Sequence, residues 1–239
     1  MTALATGQGR TPLPRQAQYR YAAVFMLVLA LLLFEVIAPA GSGTRAVDVA
    51  LSGAALTVAV ATSRARGPVR RTRAQVVAAL ALLFVIGIAT GTFGGAITFL
   101  VVTALVACIP VALVGGLLRL VRQAGVTFRV VAGALTIYLV VGLLFASIIG
   151  FTSVVESGPY FKQGPATTGD LVYYSFTVLT TTGFGDFTPA QPFGHALAVL
   201  EMLTGQLYLV TVIGIVVGNW RRSTPDAPDH RLQRDLEAR

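Results

Sequence analysis

The sequence predicts an all-α membrane protein: six transmembrane helices, with a re-entrant half-helix and a glycine-rich ribbon between the fifth and the sixth. Three observations predict it. Of the 239 residues, 55% are hydrophobic and only 12% charged, against ~25% charged in an ordinary soluble domain, and the mean hydropathy is +0.76. The apolar residues gather into six blocks, at 21–39, 46–62, 75–90, 95–118, 129–151 and 194–218. Sixteen of the eighteen basic residues fall in alternate connections between those blocks. This pattern excludes a disordered chain, a nucleic-acid-binding tail and an ordinary water-soluble enzyme. The net charge of +8 becomes a topology signal once it is placed along the chain.

A helix rises ~1.5 Å per residue and the hydrocarbon layer is ~30 Å thick, so a crossing needs ~20 residues. An amino-terminal arm, 1–20, carries Arg10, Arg15 and Arg20 ahead of the first block. Arginines, an apolar run and Ala38-Pro39-Ala40 also fit a cleaved leader. The length of the run and Glu35 near its outer end favour a retained helix; cleavage would leave five crossings. The second and third blocks are short, without acidic partners inside them, and enclose Arg64, Arg66, Arg70, Arg71 and Arg73. The turn Gly91-Thr92-Phe93-Gly94-Gly95 divides the third block from the fourth. Arg119, Arg122 and Arg129 follow the fourth; Arg221, Arg222, Arg231, Arg234 and Arg239 follow the sixth. The opposite side has Arg45 and Lys162 alone. The positive-inside bias then puts both termini in the cytoplasm of a multi-pass protein of the cell membrane. Cys108 lacks a second cysteine to pair with. The tail, 220–239, is polar and too short to fold alone.

Between the fifth and sixth blocks, residues 171–180 form an apolar, aromatic stretch with Asp170 as its expected N-cap and Thr168-Gly169 as the turn before it. As a helix of ten residues it reaches ~15 Å, half a bilayer, so it enters and turns back. Irregular backbone at that depth is tolerated only when buried in protein or lining a watery path. The half-helix runs directly into Thr181-Thr182-Gly183-Phe184-Gly185-Asp186. A cation crossing a membrane must exchange its hydration oxygens for protein oxygens at similar distances, and stacked rings of backbone carbonyls supply them. Aiming successive carbonyls at one axis requires alternating left- and right-handed backbone, which glycine at every second position makes easy. The carboxyl end of the half-helix adds partial negative charge, and Asp186 gathers cations at the outer mouth.

These residues resemble the selectivity filter of the potassium channel superfamily, usually T-V-G-Y-G-D. Tyr173-Tyr174-Ser175 is similar to the W-W-S-like pore helix at the same distance from the filter, and Gly194 and Gly205 lie eleven apart, as in bacterial two-helix pore modules. The resemblance covers 129–219. It implies a pore domain there, with Thr181, Thr182, Gly183 and Phe184 binding potassium through their carbonyls, Gly185 and Asp186 completing the filter and mouth, and Tyr173, Tyr174, Ser175, Thr177 and Thr180 on the pore helix. It further implies that Gln206, Leu209, Val210 and Ile213 face the inner cavity and that Gly205 is a hinge; close helix packing is the competing reading for Gly205, as it is for Gly214 and Gly218. Three departures stand out: Thr182 for Val, whose hydroxyl needs a partner behind the filter; Phe184 for Tyr, as in two-pore-domain potassium channels; and Thr177 where some relatives carry Glu.

Six crossings with the pore last is the layout of voltage-gated channels, whose fourth helix carries several basic residues because each charge is worth ~2.3 kcal/mol per 100 mV. Residues 96–118 contain none. Residues 21–122 are therefore expected to form a four-helix peripheral domain with little voltage sensing. Glu201, inside the sixth block, is expected to brace the pore helix through a Thr or Tyr hydroxyl. Glu156, Lys162 and Asp170 are read as solvated outer loop, and His195 as interfacial. One chain supplies one filter strand, so the resemblance implies a homotetramer in a lipid bilayer, with potassium ions in the filter, no organic cofactor, no nucleic acid, and no small-molecule substrate other than permeant cations. Rival readings are a weakly selective monovalent cation channel, a transporter and a non-conducting scaffold. No internal repeat supports a transporter, and no hydrolase, phosphate-loop or metal motif supports an enzyme.

Overall fold

A computed structural model describes residues 16–38, 42–62, 67–90, 94–124, 128–156 and 158–220. The amino-terminal arm up to residue 15, Pro39-Ala40, Gly91-Thr92-Phe93 and the tail from Arg221 lie outside the described residues, as do the side chains of the arginines behind the topology reading. Among the described residues the chain forms seven helices: α1 (Gln16–Ile37), α2 (Ser42–Thr62), α3 (Gly67–Ala89), α4 (Gly95–Ala124), α5 (Phe128–Val155), α6 (Thr168–Leu179) and α7 (Pro192–Trp220).

Three of these helices are long and apolar enough to cross a membrane, through Gly95–Val114 of α4, Val130–Val155 of α5 and Pro192–Val212 of α7. The apolar stretches of α1, α2 and α3 (Ala22–Ile37, Ala46–Val60 and Ala78–Ile88) are shorter. The helices themselves run further, to 22, 21 and 23 residues, or ~32–35 Å at 1.5 Å per residue. α3 begins at Gly67-Pro68, well ahead of the block read at 75–90, because proline is favoured in a first helical turn, where its missing N–H has no carbonyl to meet. Hydropathy marks where lipid would begin, and capping marks where the helix begins.

One apolar core runs through the first five helices. Val24, Val28 and Leu31 of α1 recur at helical spacing, as do Val102, Val106, Ile109 and Leu113 of α4. They close on Val49 and Leu56 of α2 and on Val140 and Leu143 of α5. The core ends at Val172 on α6, so the outer part of α1 meets the start of the half-helix. α3 packs on α2 and leaves Val76, Leu80, Leu83 and Ile86 exposed. A second cluster, with Phe145, Ile149, Phe161, Leu171, Tyr174 and Leu197, joins α5, the outer loop, α6 and α7.

The reading that the second block holds no acid needs correction. Asp48 sits in the second turn of α2, and it lines a cavity of about 230 Å³ together with buried Glu35, Thr44, Thr98, Thr167 and Thr168. The two acids meet because α1 and α2 are packed neighbours joined by a link of four residues, which brings the edges of their apolar blocks together.

Candidate functional site

The half-helix α6 is 12 residues long, ~18 Å. Its start differs from the expected one. Thr167, not Asp170, is the N-cap, and Thr168-Gly169 are its first helical residues. Asp170 is the third residue of a capping box: the Thr167 N–H and hydroxyl donate to its carboxylate at 2.8 and 2.7 Å, and its own N–H donates to Thr167 Oγ1 at 3.2 Å. Two orphan donors are satisfied together, so Asp170 is a structural part of the helix start rather than free loop.

At the other end the helix hands over to the ribbon. The carbonyl of Thr177 accepts two N–H groups, from Thr182 at 2.8 Å and Gly183 at 3.1 Å, and the Thr181 N–H donates to Val178 O at 2.9 Å. Beyond it the backbone alternates. Thr181, Gly183 and Gly185 have φ of 58°, 54° and 80°, while Thr182 and Phe184 between them are not in that region. For the two glycines nothing lies within 4 Å of where a Cβ would be, so it is conformation, not space, that requires glycine there. Thr181 adopts the left-handed conformation as a threonine, at a cost of roughly 1 kcal/mol or more. The glycine spacing alone does not mark it. Residues 180–186 are all exposed on the chain.

Each departure from the usual filter has a visible consequence. The hydroxyl of Thr182 lies 2.9 Å from Thr180 Oγ1. Thr180 donates its own hydrogen to Phe176 O at 2.7 Å, so Thr182 is the donor of the pair and finds its partner on the pore helix. Phe184 stacks parallel to Tyr173, with ring centroids 6.3 Å apart, giving the ribbon an aromatic support without a hydroxyl. Thr177 donates back to Tyr174 O at 2.8 Å, within its own helix. Asp186 accepts the N–H of Phe187 at 3.1 Å and lies beside the Tyr173 hydroxyl.

Behind the ribbon, Glu201 is fully buried on α7 and pairs with Ser175 at 2.5 Å, and Ser175 also reaches the carbonyl of Gly142 on α5 at 2.7 Å. The partner is thus a serine where a Thr or Tyr hydroxyl is expected. A single hydroxyl hydrogen cannot serve both acceptors; a carboxyl proton shared between Glu201 and Ser175 completes the chain. Three helices are tied at one point on α6. Next to it, a Cβ at Gly205 would run into the carbonyl of Leu179. Gly205 therefore brings the backbone of α7 against the end of the half-helix, a packing contact.

Of the residues expected to face an inner cavity, Gln206 and Val210 are exposed and Leu209 is partly so, while the side chain of Ile213 lies outside the described residues. Gln206 reaches the ribbon, its Nε2 donating to Thr181 Oγ1 at 2.8 Å. Three further supports escape the sequence reading. Tyr208 donates to Ala134 O and packs on Tyr138 at 5.6 Å, fixing α7 to α5. In the outer loop, Tyr160 and Phe161 are buried, and Phe161 meets Tyr174 and Phe187 edge-on at 4.9 and 5.2 Å. Burial pushes the Tyr160 phenol above its ordinary range. Gln163 and Thr188 exchange hydrogen bonds of 3.0 and 3.2 Å, clamping that loop to the segment after the ribbon. The only signal for Tyr160 and Phe161 is aromatic content in the outer loop.

The comparisons with known proteins fall on the same region. Residues 133–220 match the family model described as "Ion channel". Potassium voltage-gated channel subfamily A member 10 of Homo sapiens is 26% identical over 110 residues, 44% of this chain and 21% of that one. Its Mus musculus counterpart is 29% identical over 89 residues, 37% and 17% of the two chains. Subfamily A member 5 of Oryctolagus cuniculus is 26% identical over 106 residues, 44% and 17%. The chain thus spans about a fifth of the length of the curated relatives it matches. No solved structure matches. From α5 to α7 the chain is thus similar to ion channel domains and to potassium channel subunits.

Proposed function

We propose that four copies of this chain surround a potassium-selective pore that conducts passively, with the carbonyls of Thr181, Thr182, Gly183, Phe184 and Gly185 replacing the hydration shell of the ion. The observation that carries this reading is the alternation of left-handed backbone at Thr181, Gly183 and Gly185, directly beyond the carboxyl end of a half-length helix. Alternation turns successive carbonyls to one side, and the helix end contributes partial negative charge where a dehydrated cation would rest.

The fourfold assembly is supported by what one chain leaves uncovered. The ribbon from Thr180 to Asp186 is exposed, and so are Val199, Leu200, Leu203, Leu207 and Val210 on α7. Lipid can cover an apolar helix face but not the exposed, irregular and polar ribbon; around a symmetry axis the ribbon faces water and the neighbouring α7 face becomes inter-subunit packing and cavity wall. Residues 129–219 act as the pore domain and 21–122 as a peripheral four-helix domain, with six crossings and both ends cytoplasmic. Without basic residues in 96–118, that peripheral domain gives little voltage sensing.

The test is ion flux from liposomes holding the purified protein. Potassium should pass well ahead of sodium, and Gly183→Asp should abolish the flux. Equal flux of the two ions would replace this reading with that of a weakly selective cation channel, which the hydroxyl-free Phe184 favours. Absence of any flux from a well-folded tetramer would leave a scaffold.

A further inference from the structure

We infer that Gln206 is the positioning residue of the innermost cation site, holding the Thr181 hydroxyl so that one oxygen lone pair faces a dehydrated monovalent cation at the inner end of the ribbon. The inference rests on the channel reading above. It begins with hydrogen accounting at one atom. Thr181 Oγ1 has one hydrogen and two lone pairs. The hydrogen goes to Thr180 O at 2.7 Å. The Gln206 amide approaches at 2.8 Å; with that hydrogen already used, Gln206 is the donor and occupies one lone pair. The other lone pair remains for a ligand, and since both Thr181 and Gln206 are exposed on the chain, it is open to the side on which the ribbon stands.

The backbone makes the holding necessary. Thr181 is the one non-glycine among the described residues with positive φ. Its side chain is attached to a strained turn, and two hydrogen bonds fix its rotamer where backbone preference does not. The reach of Gln206 is set by its neighbour, because Gly205 seats the α7 backbone directly against the Leu179 carbonyl at the end of the half-helix. A residue one position along from that contact, with an amide at the end of a three-bond side chain, meets the first residue of the ribbon. Without the amide, the hydroxyl is free to turn and the lone pair is no longer aimed.

Barium, close in size to potassium and doubly charged, is the probe, applied from the side of the α7 carboxyl end to single channels in planar bilayers. Gln206→Met keeps length and volume and lacks the donor; it should weaken barium block about five- to tenfold, the worth of one oriented hydrogen bond to the site. Thr181→Val should weaken it by a similar factor, and the double variant should be no worse than the poorer single one, since both remove the same arrangement. Thr181→Ser keeps the hydroxyl, and in that background Gln206→Met should cost the same factor as in the wild type. Gln206→Leu supplies the same comparison if the methionine variant does not assemble. Potassium current with unchanged barium block in Gln206→Met, or additive losses in the double variant, overturns the role of Gln206 alone. Absence of potassium current from the wild type overturns the channel reading, and this inference with it.

Discussion

Most of the packing among the first four helices is apolar, with Glu35 and Asp48 a polar pair between α1 and α2, whereas the last three are also tied by several side-chain hydrogen bonds that cross from one helix to another. Around α2 to α4 the hydroxyls of Thr57, Thr90 and Thr98 donate to the carbonyl four residues back, as Thr136 and Ser147 do in α5, and the packing between helices is largely Val, Leu, Ile and Ala. From α5 onward, side chains bond across the chain: Ser175 to Gly142 and Glu201, Gln206 to Thr181, Tyr208 to Ala134, Gln163 to Thr188. Apolar contacts are non-directional and tolerate small displacements; hydrogen bonds in low dielectric tolerate neither displacement nor loss of a partner. A ribbon that must hold several carbonyls at fixed distances needs the second kind of support. Of the first four helices, α1 packs on α6, at its outer end, through apolar and backbone contacts.

The largest effect that would break this contrast is a loss of function from a small change in the first region. Gly185→Val places a β-branched residue at φ 80°, a conformation it adopts only under severe strain, and potassium flux should fall to background. Gly94→Ala, where nothing lies within 4 Å of the new methyl group, should leave flux unchanged. Equal losses would show that the peripheral helices shape the ribbon directly.

Next in size is Gly205→Ala, whose methyl group meets the Leu179 carbonyl. Overpacking against backbone should cost about 1–3 kcal/mol, read as a lower midpoint in thermal unfolding of the detergent-solubilised protein. Gly214→Ala, with open space around it, should be neutral or raise stability by up to ~1 kcal/mol through helix propensity. If both variants melt like the wild type while Gly205→Ala changes open probability, the hinge reading of Gly205 replaces the packing one.

The limits of legibility in the sequence come from the same contrast. Period and composition mark the helices and the half-length segment, because these depend on residues near in sequence. The glycine spacing marks Gly183 and Gly185 for the same reason. The start of α6 lies three residues ahead of the expected cap because Thr167, Thr168 and Asp170 are all cap formers, and only the reciprocal bonds choose between them. Asp48 escapes notice because it sits at the edge of an apolar block. Gln206 with Thr181, and Glu201 with Ser175, lie 25 and 26 residues apart; no local pattern joins them, and they meet only because α7 folds back along α6. Tyr160 and Phe161 read as part of the loop around them, though burial of aromatic rings is a tertiary event without periodicity.

A smaller effect tests the buried carboxyl. Glu201→Leu removes the tie between α6 and α7 while leaving Ser175 free to donate to Gly142, so the loss should be about 1–2 kcal/mol of stability, the scale of one buried hydrogen bond. Glu201→Gln keeps a polar group able to donate to Ser175 and should retain most of it. The same melting measurement decides; a glutamine variant as poor as the leucine one would mean that the carboxyl acts through charge and not through the hydrogen bond.

The smallest expected effects come from matched threonines in the two regions. Thr167→Ala removes the hydroxyl half of the capping box, leaving the backbone N–H of residue 167 on the Asp170 carboxylate, and should lower stability by about 1 kcal/mol. Thr57→Val in α2 removes only a hydroxyl bonded at 2.7 Å to the Gly53 carbonyl in its own helix. That carbonyl already accepts the helical N–H, so the change should stay within about 0.5 kcal/mol. The two substitutions delete the same kind of hydroxyl. If Thr57→Val proved as costly as Thr167→Ala, hydroxyls in the first region would be directional supports after all, and the division between a fixed pore half and an apolar surround would lose its physical basis.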